Sequence, residues 1–205
     1  MSTDCLRYRT KALSQKTWTD FERLFQKPGG WSHCWCVHFQ RARGLPKSQQ
    51  LRTRRERAVR NRRQKLELVE EGRAHGILVY ADGEPVGWCQ FGRREELPRI
   101  DNRRQYRGLA PDRDEKLWRI TCFVVDTRYR RRGIASAALK AALEAIKSNG
   151  GGLVEAYPLS RWLSRAFGNE STPGVLSMFE REGFKVVAPF GTTRFSTRVL
   201  VRKRI

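Results

Sequence analysis

The spacing of apolar residues near the start of the chain predicts an amphipathic helix over residues 17–26. Four large apolar side chains recur there at helical intervals: Trp18, Phe21, Leu24 and Phe25. Thr19 or Asp20 is placed to cap this helix, and the Lys-Pro-Gly-Gly stretch at 27–30 ends it. The aromatic-rich run WSHCWCVHFQ that follows favours a strand.

A second, longer helix is predicted over residues 48–72, where Gly72 closes it. Its apolar positions form only a narrow stripe: Leu51, Ala58, Val59, Leu66 and Val69. Most other positions in its first half are arginine. This helix is therefore predicted to present a strongly basic surface.

The middle of the chain alternates between strand and helix patterns. A hairpin is predicted from strands 77–81 and 85–91, joined by a primed-type turn at Asp82-Gly83. A charged connection without a clear period spans residues 93–116. Then come a strand, a helix and a strand, at residues 118–125, 134–147 and 153–157. That order implies a right-handed crossover between parallel strands.

The last part of the chain predicts one more helix and a strand pair. Thr172-Pro173 opens the helix, which runs to Glu182, and Gly183 supplies a left-handed cap. Antiparallel strands follow at 184–187 and 194–202. Because no repeat, low-complexity linker or domain boundary interrupts the pattern, we expect one α+β domain over residues 1–205.

Composition narrows the class of partner. The 205 residues hold 42 Lys+Arg against 21 Asp+Glu, a formal net charge of +21, which favours anionic partners. The five cysteines are odd in number and irregularly spaced, unlike a secreted disulfide framework. The first residues lack an apolar targeting segment, and no run is long enough to span a bilayer. We therefore expect a soluble, cytoplasmic protein that does not bind membranes.

One part of this charge has a specific position. The stretch RYRRRGIAS (128–136) lies between a predicted strand and a predicted helix. At a helix start the first backbone N–H groups have no intrahelical partner, and together with the helix dipole they attract anions. Gly133 and Ala135 carry little side chain, so an oxygen could approach the backbone closely. The stretch predicts a phosphate site rather than a merely basic loop.

The same residues resemble a known family. RRRGIA (130–135) is similar to the R/Q-x-x-G-x-G/A loop of the GNAT N-acetyltransferases, and it follows a strand, RITCFVV, in the register of their fourth strand. MFEREGFKVV resembles their YEKLGF helix-to-strand signature. The resemblance covers roughly residues 75–205 and extends to a bacterial subset whose acceptors are usually unknown.

The resemblance implies a mixed, splayed sheet with helices on both faces and an acetyl-CoA cleft between the fourth and fifth strands. The backbone of Phe123, Val124 and Val125 would pair with the pantetheine arm. The pyrophosphate would be held by Arg130, Arg131, Arg132, Gly133, Ile134, Ala135 and Ser136. Residues 1–75 would supply acceptor-side helices, and residues 76–205 would form the acetyl-CoA-binding core.

Acetyl transfer of this type needs a polarised thioester, a neutral amine and an exit for the thiolate. A backbone N–H near Val124 or Val125 could polarise the carbonyl. Glu155 is the candidate general base, although it could equally be a structural glutamate paired with an arginine, and Asp126 is a weaker candidate. The family's thiolate-protonating tyrosine is replaced by Phe179. Tyr157 or Ser177 would then substitute, or the thiolate would leave unassisted.

Two further patterns leave alternatives open. Cys34, Cys36 and His38 would share one face of an extended run, but without a second ligand pair we expect core packing and no metal. In that packing Trp31 and Trp35 would line the acceptor pocket. The arginine-rich helix at 51–63 is a possible nucleic-acid surface.

The favoured function is therefore acetyl-CoA-dependent N-acetylation of a primary amine, most simply a small molecule, by direct transfer. The alternative is a nucleic-acid-associated GNAT-like protein. Such a protein would bind RNA or tRNA and acetylate an aminoacyl-tRNA, or bind acyl-CoA without catalysis.

Overall fold

The computed structural model describes residues 8–28, 31–43, 53–160, 173–191 and 198–205. The helices in these ranges are α1 (Trp18–Gln26), α2 (Arg54–Glu70), α3 (Ile134–Ser148) and α4 (Leu176–Arg181). The strands are β1 (Arg9–Ala12), β2 (His75–Ala81), β3 (Glu84–Arg93), β4 (Leu117–Val125), β5 (Leu153–Ala156), β6 (Lys185–Pro189) and β7 (Val199–Arg204). Short 3₁₀ turns occupy the connection between β3 and β4.

All seven described strands form one mixed sheet in the order β1-β2-β3-β4-β5-β7-β6. β4 and β5 run parallel and are joined through α3, while the other neighbouring strands pair antiparallel. The strand–helix–strand prediction is therefore confirmed. So is the α+β class with a mixed sheet.

The hairpin between β2 and β3 also follows its prediction. Asp82 and Gly83 have φ values of 50° and 80°, and two successive positive values are the mark of a primed two-residue turn. The strands are longer than predicted, beginning at His75 and ending at Arg93. The turn fixes the register from which the rest of the sheet extends.

Apolar cores cover both faces of the sheet. On one face, α3 inserts Ile134, Leu139 and Leu143 against β2, β3 and β4. On the other face, α1 buries all four of the predicted residues, Trp18, Phe21, Leu24 and Phe25. The capping prediction for α1 is wrong, because Thr17 occupies the N-cap position and makes no side-chain capping bond.

The run WSHCWCVHFQ is not a strand. Its residues 32–36 form turns, and Trp35 and Cys36 have positive φ values of 50° and 49°. Trp35 is nevertheless buried, with its ring 5.6 Å from that of Phe25 and nearly parallel to it. Of the three residues predicted to pack in the core, Cys36 is buried, Cys34 is half-buried and His38 is exposed, and the predicted strand conformation is wrong.

The long basic helix also differs from its prediction. Within the described residues α2 begins at Arg54, after a capping box formed by Thr53 and Glu56. The predicted stripe faces the core only in part: Val69 is buried and Leu66 packs beside it, whereas Val59 is 66% exposed. The other buried positions, Asn61 and Lys65, are polar. The predicted positions 48–52 include Leu51 and lie outside the described residues.

The last helix is shorter than predicted. α4 begins at Leu176 behind Val175, so Pro173 precedes the helix rather than opening it, and Thr172 lies outside the described residues. Gly183, with φ of 82°, follows the helix as predicted. Residues 194–197 of the predicted final strand are outside the described ranges. Among the described helices, none is both long and apolar enough to cross a membrane.

Candidate active site

The parallel strands β4 and β5 separate halfway along β4. Their pairing runs from Leu117 opposite Leu153 to Ile120 opposite Ala156, where β5 ends. β4 continues to Val125 and stays paired with β3 on its other side. Among the described residues, no strand pairs with the last residues of β4 on this side, so they present an open edge toward the gap.

A β-bulge decides which backbone groups face that gap. At the end of β4, Asp126 donates its N–H to the oxygen of Val86, so the backbone N–H and C=O groups of even-numbered residues there point toward β3. At the start of β4, Leu153 donates its N–H to the oxygen of Lys116, so the backbone groups of even-numbered residues there point toward β5. The register shift at Gln90 and Phe91 accounts for this change of phase, because Thr121 is one extra residue in β4.

As a consequence, the N–H groups of Phe123 and Val125 point toward the open side. The N–H of Val124 points toward β3, and its side chain packs among the core residues on the α1 face. Of the three residues predicted to contact the pantetheine arm, two thus present backbone groups to the gap. The edge from Thr121 to Val125 is about 13 Å long at the usual rise per strand residue.

The arginine loop joins this edge directly to α3. Gly133 is the N-cap residue in a left-handed conformation, with φ of 82°, and Arg131 also has a positive φ of 61°. The first hydrogen bond of the helix runs from the N–H of Ala137 to the oxygen of Gly133, at 2.9 Å. The N–H groups of residues 134–136 precede that ladder and are available to an anion.

Side-chain contacts from Asp126 and Tyr8 hold the arginine loop in place. Asp126 accepts hydrogen bonds from the backbone and side chain of Arg128, and Lys27 lies 3.2 Å from it. The bond from Arg128, with help from Lys27, holds the pKa of Asp126 well below its usual range. Asp126 is therefore an ionised cap of the loop, not a free base. Tyr8 adds a hydrogen bond to the oxygen of Arg132, at 2.6 Å.

Glu155 lies fully buried among hydrogen-bond donors. Tyr106 and Tyr157 donate to one carboxylate oxygen, at 2.6 and 2.8 Å. Arg202 donates to the other oxygen through two nitrogens, at 2.8 and 2.6 Å. This is the arrangement expected of the structural alternative, an arginine-paired glutamate.

The two tyrosines beside Glu155 keep their protons. Burial and the charge of Glu155 raise the pKa of Tyr106 to about 12, and they raise the pKa of Tyr157 well above its ordinary value. Phe179, at the family's tyrosine position, is buried with its ring 6.0 Å from that of Phe123. Ser177 lies on the exposed side of α4.

Two neighbouring cavities open where β4 leaves β5. The smaller, of about 160 Å³, is lined by Trp31, Cys34, Cys36, His38, Phe39, Arg103, Thr121, Cys122, Pro173 and Arg198. The larger, of about 520 Å³, is lined by His38, Ala42, Arg43, Arg99, Asn102 and Arg103. His38 and Arg103 form the wall that the two share. Trp31 lines a cavity as predicted, whereas Trp35 lies in the core.

Polar contacts from α2 hold the segment that supplies half of these walls. Asn61 donates to the backbone oxygen of His33 at 2.7 Å and accepts from Arg41 at 2.5 Å. The fully buried Lys65 donates to Gln40 at 2.8 Å. Its surroundings include the thiol of Cys36, which lies 3.0 Å from that of Cys122. In the described part of the chain, no group of three potential ligands is arranged to hold a metal ion.

The arginines of α2 are partly engaged. Arg62 pairs with Glu22, and Arg63 lies 2.9 Å from Glu67. Arg54 contacts a ring nitrogen of His33 at 3.2 Å. Binding of nucleic acid through this helix stays a prediction.

An unpaired strand edge that leads into an amide-rich helix start, beside a cavity, is a site for an extended anionic co-substrate. The profile of the Acetyltransferase (GNAT) family matches residues 12–159, most of the chain. The chain therefore belongs to this family and is an N-acetyltransferase. The match begins well before residue 75, so it includes α1 and α2.

Solved structures agree with this at the level of the fold. The PaiA N-acetyltransferase from Thermoplasma acidophilum, in complex with coenzyme A, superposes with a TM-score of 0.54 at 12% identity, covering 97% of this chain and 99% of that one. An N-acetyltransferase from Staphylococcus aureus Mu50 gives 0.51 at 13%, covering 97% and 98%. The ribosomal-protein-S5-alanine acetyltransferase from Vibrio fischeri gives 0.51 at 12%, covering 96% and 92%. A search of curated protein sequences found no match.

Sequence reasoning missed three residues of the cavity walls, namely His38 in a catalytic or binding role, Arg99 and Arg103. The arginines lie in the connection that lacks any period, where no pattern distinguishes one arginine from another. His38 was considered only as a metal ligand or a packing residue. One sequence observation pointed to them: the connection leads into β4, the strand that forms the open edge.

Proposed function

We propose that the protein transfers an acetyl group from acetyl-CoA directly to a primary amine. The observation that carries this proposal is the continuous path from the open edge of β4 to the start of α3, with a cavity at its other end. The family supports acyl-CoA-dependent acetyl transfer. The amine acceptor, the direct transfer and the residue roles are inferences from the geometry.

Acetyl-CoA fits the residues present. The amides of Phe123 and Val125 would pair with the pantetheine arm, and those of residues 134–136 would receive the pyrophosphate. Arg130, Arg131 and Arg132 have no carboxylate within 4 Å among the described residues, so their charges are available to phosphate. When bound, acetyl-CoA supplies the acetyl group as a thioester whose carbonyl an amide of the open edge can polarise.

The amine would enter from the cavities and lose its proton there. His38 is the better-placed proton acceptor, because it is accessible and lines both cavities. The surrounding walls and four guanidinium groups lower its pKa to about 4, so the imidazole is neutral at physiological pH. Glu155 would instead position the walls, because both of its oxygens already accept hydrogen bonds.

The thiolate would leave without a tyrosine donor. Phe179 cannot donate a proton, and the hydroxyl of Tyr157 is directed to Glu155. A thiol with a pKa of roughly 8.5 is a tolerable leaving group at neutral pH, so transfer remains feasible. The ionised arginines of the loop would help by keeping the cofactor in place.

The test of the proposal is Gly133→Glu, measured by acetyl-CoA binding in calorimetry and by release of free CoA with an amine library. The substitution puts a carboxylate at the phosphate site, and we expect the affinity to fall by at least about 100-fold. Gly72→Glu is the matched control, since Gly72 has a similar φ of 69° and equally open surroundings after the end of α2. Undiminished binding by Gly133→Glu would refute the assignment of the loop.

A further inference from the structure

Two neighbouring cavities share an unusual chemistry. Among the described residues, their walls contain four arginines, at positions 43, 99, 103 and 198, and no aspartate or glutamate. His38 and Arg103 line both cavities, so a ligand group bound there is adjacent to each of them. The smaller one reaches Thr121 and Cys122 of β4, where the open edge begins.

Ion pairs within the described residues leave the arginines of the larger cavity unneutralised. No described carboxylate lies within 4 Å of Arg43, Arg99 or Arg103. The guanidinium carbon of Arg103 lies 5.8 Å from the ring centre of Phe39 and 5.7 Å from that of Phe190. Contacts with aromatic rings do not consume the N–H donors of a guanidinium group, which can still bind a ligand.

The connection between β3 and β4 does supply a carboxylate, but it pairs with other arginines. Asp101 lies between Arg99 and Arg103 in sequence, yet its oxygens bind Arg119 at 2.7 Å and Arg94 at 3.2 Å. Its carboxylate is therefore used beneath the connection, while its two arginine neighbours line the cavity. Asn102 fixes this arrangement by donating to the oxygen of Ala42 at 2.8 Å.

The pKa directions agree with a local concentration of positive charge. Burial, followed by the charges of Arg198 and Arg99, lowers the pKa of Arg103. His38 is affected by the same group of guanidinium ions. A bound anion would relieve this repulsion, so the cavities favour a negative ligand group.

From this geometry we propose that the acceptor amine carries an acidic group, a carboxylate or a phosphate, which Arg103 and Arg99 bind in the larger cavity. This rests on the proposed acetyl transfer. The acidic group would be anchored at the shared wall, and the amine would extend through the smaller cavity to Thr121. Neutral amines and polyamines would be poor acceptors, because they offer the arginines nothing or repel them.

The experiment compares acceptors that differ only in charge. Free CoA release is measured with glycine and glycinamide, with a longer ω-amino acid and its carboxamide, and with phosphoethanolamine and ethanolamine. We expect the acidic member of at least one pair to have a kcat/KM about 10- to 100-fold above that of its neutral partner, the range of charge-assisted hydrogen bonds. The carboxylate and phosphate arms identify which anion is preferred.

Variants connect this preference to the cavity. Arg103→Gln and Arg99→Gln should each raise KM for the acidic amine about tenfold, a loss well above any change in kcat/KM for the neutral analogue. Arg107→Gln is the matched control, an exposed arginine of the same connection that lines neither cavity. Urea unfolding of each variant shows whether a loss reflects binding rather than stability.

Each outcome decides something. Equal use of acidic and neutral amines, or an equal loss for both in Arg103→Gln, overturns this inference but leaves acetyl transfer intact. If acetyl-CoA binds and no amine is acetylated, the proposed function fails. Calorimetry with the acidic amines then decides the inference separately, and binding that does not depend on Arg103 overturns it. If single-stranded RNA binds through Arg103 at physiological salt and these amines do not, the ligand is a nucleic acid and the inference is wrong.

Discussion

Two arginine clusters lie on either side of the connection between β3 and β4. They differ in whether carboxylates neutralise their charge. Beneath it, Arg119 and Arg202 are matched with Asp101 and Glu155 in a buried network with two tyrosines. Above it, Arg99 and Arg103 line open cavities in which no described residue supplies a carboxylate. The first cluster holds the connection on the sheet, and the second is left for a ligand. Arginine content alone therefore says little about function, whereas the placement of the few acidic residues is informative.

The largest expected effect is on the matched cluster. Glu155→Gln removes the charge that two nitrogens of Arg202 contact and leaves that guanidinium without its main partner in a buried place. We expect the free energy of unfolding to fall by about 3 kcal/mol, measured by urea denaturation. Glu115→Gln is the control, because it frees only the exposed Arg204 and should lower the free energy of unfolding much less. Similar losses in the two variants would show that the buried network is not stabilising.

Lys65 is intermediate between the two arginine clusters. It is a buried cation, but among the described residues it has no carboxylate partner. Burial lowers its pKa to about 8, below the value of about 10.4 expected in the unfolded chain. Between these pH values the folded state binds fewer protons than the unfolded state. The contribution of Lys65 to the free energy of unfolding therefore rises with pH and is least favourable below pH 8.

At pH 7 we expect the free energy of unfolding of Lys65→Met to be higher than that of the parent protein. This difference should shrink by about 2 kcal/mol between pH 7 and pH 10. Urea unfolding at both pH values measures it. Lys140→Met, at an exposed position on α3, is the control and should show a difference that does not change with pH. A pH-independent difference for Lys65→Met would mean that Lys65 is not buried as a cation.

The smallest effect is expected at His38. Because an imidazole with a pKa of about 4 is a weak base, His38→Gln should lower kcat/KM at pH 7 by only about tenfold. The loss should shrink at pH 9 to 10, where more of the amine is already neutral. His33→Gln, outside both cavities, should behave like the parent protein. A loss that is equal at every pH would indicate a structural role for His38.

The predictable part of this fold is the part whose apolar residues repeat. The hairpin, β4, α3 and β5 follow from their periodicity, and the arginine loop follows from its place between strand and helix. β1 was missed because all four of its residues are exposed, so no alternation marks it. α2 was misread because its inner face is polar, with Asn61 and Lys65 buried through hydrogen bonds rather than through apolar contact.

The candidate site divides in the same way. The cofactor side lies along regular elements, so its position could be predicted, although the bulge at Thr121 that selects Phe123 and Val125 over Val124 is not visible in the sequence. The acceptor side is built from turns and an irregular connection. Its residues meet only through tertiary contacts, which no local pattern encodes. For Glu155, the sequence left two roles open because its partners lie at Tyr106 and Arg202, far away along the chain.

The polar attachment of the 31–43 segment to α2 has a consequence for how this protein could change its substrate. The wall around His38 is secured to α2 by a few hydrogen bonds from Asn61 and Lys65, whereas the cofactor edge belongs to the sheet itself. Substitutions on one helix face could therefore reshape the proposed acceptor cavities without disturbing the strands of the proposed cofactor site. New acceptors could then be selected while the cofactor site is inherited unchanged.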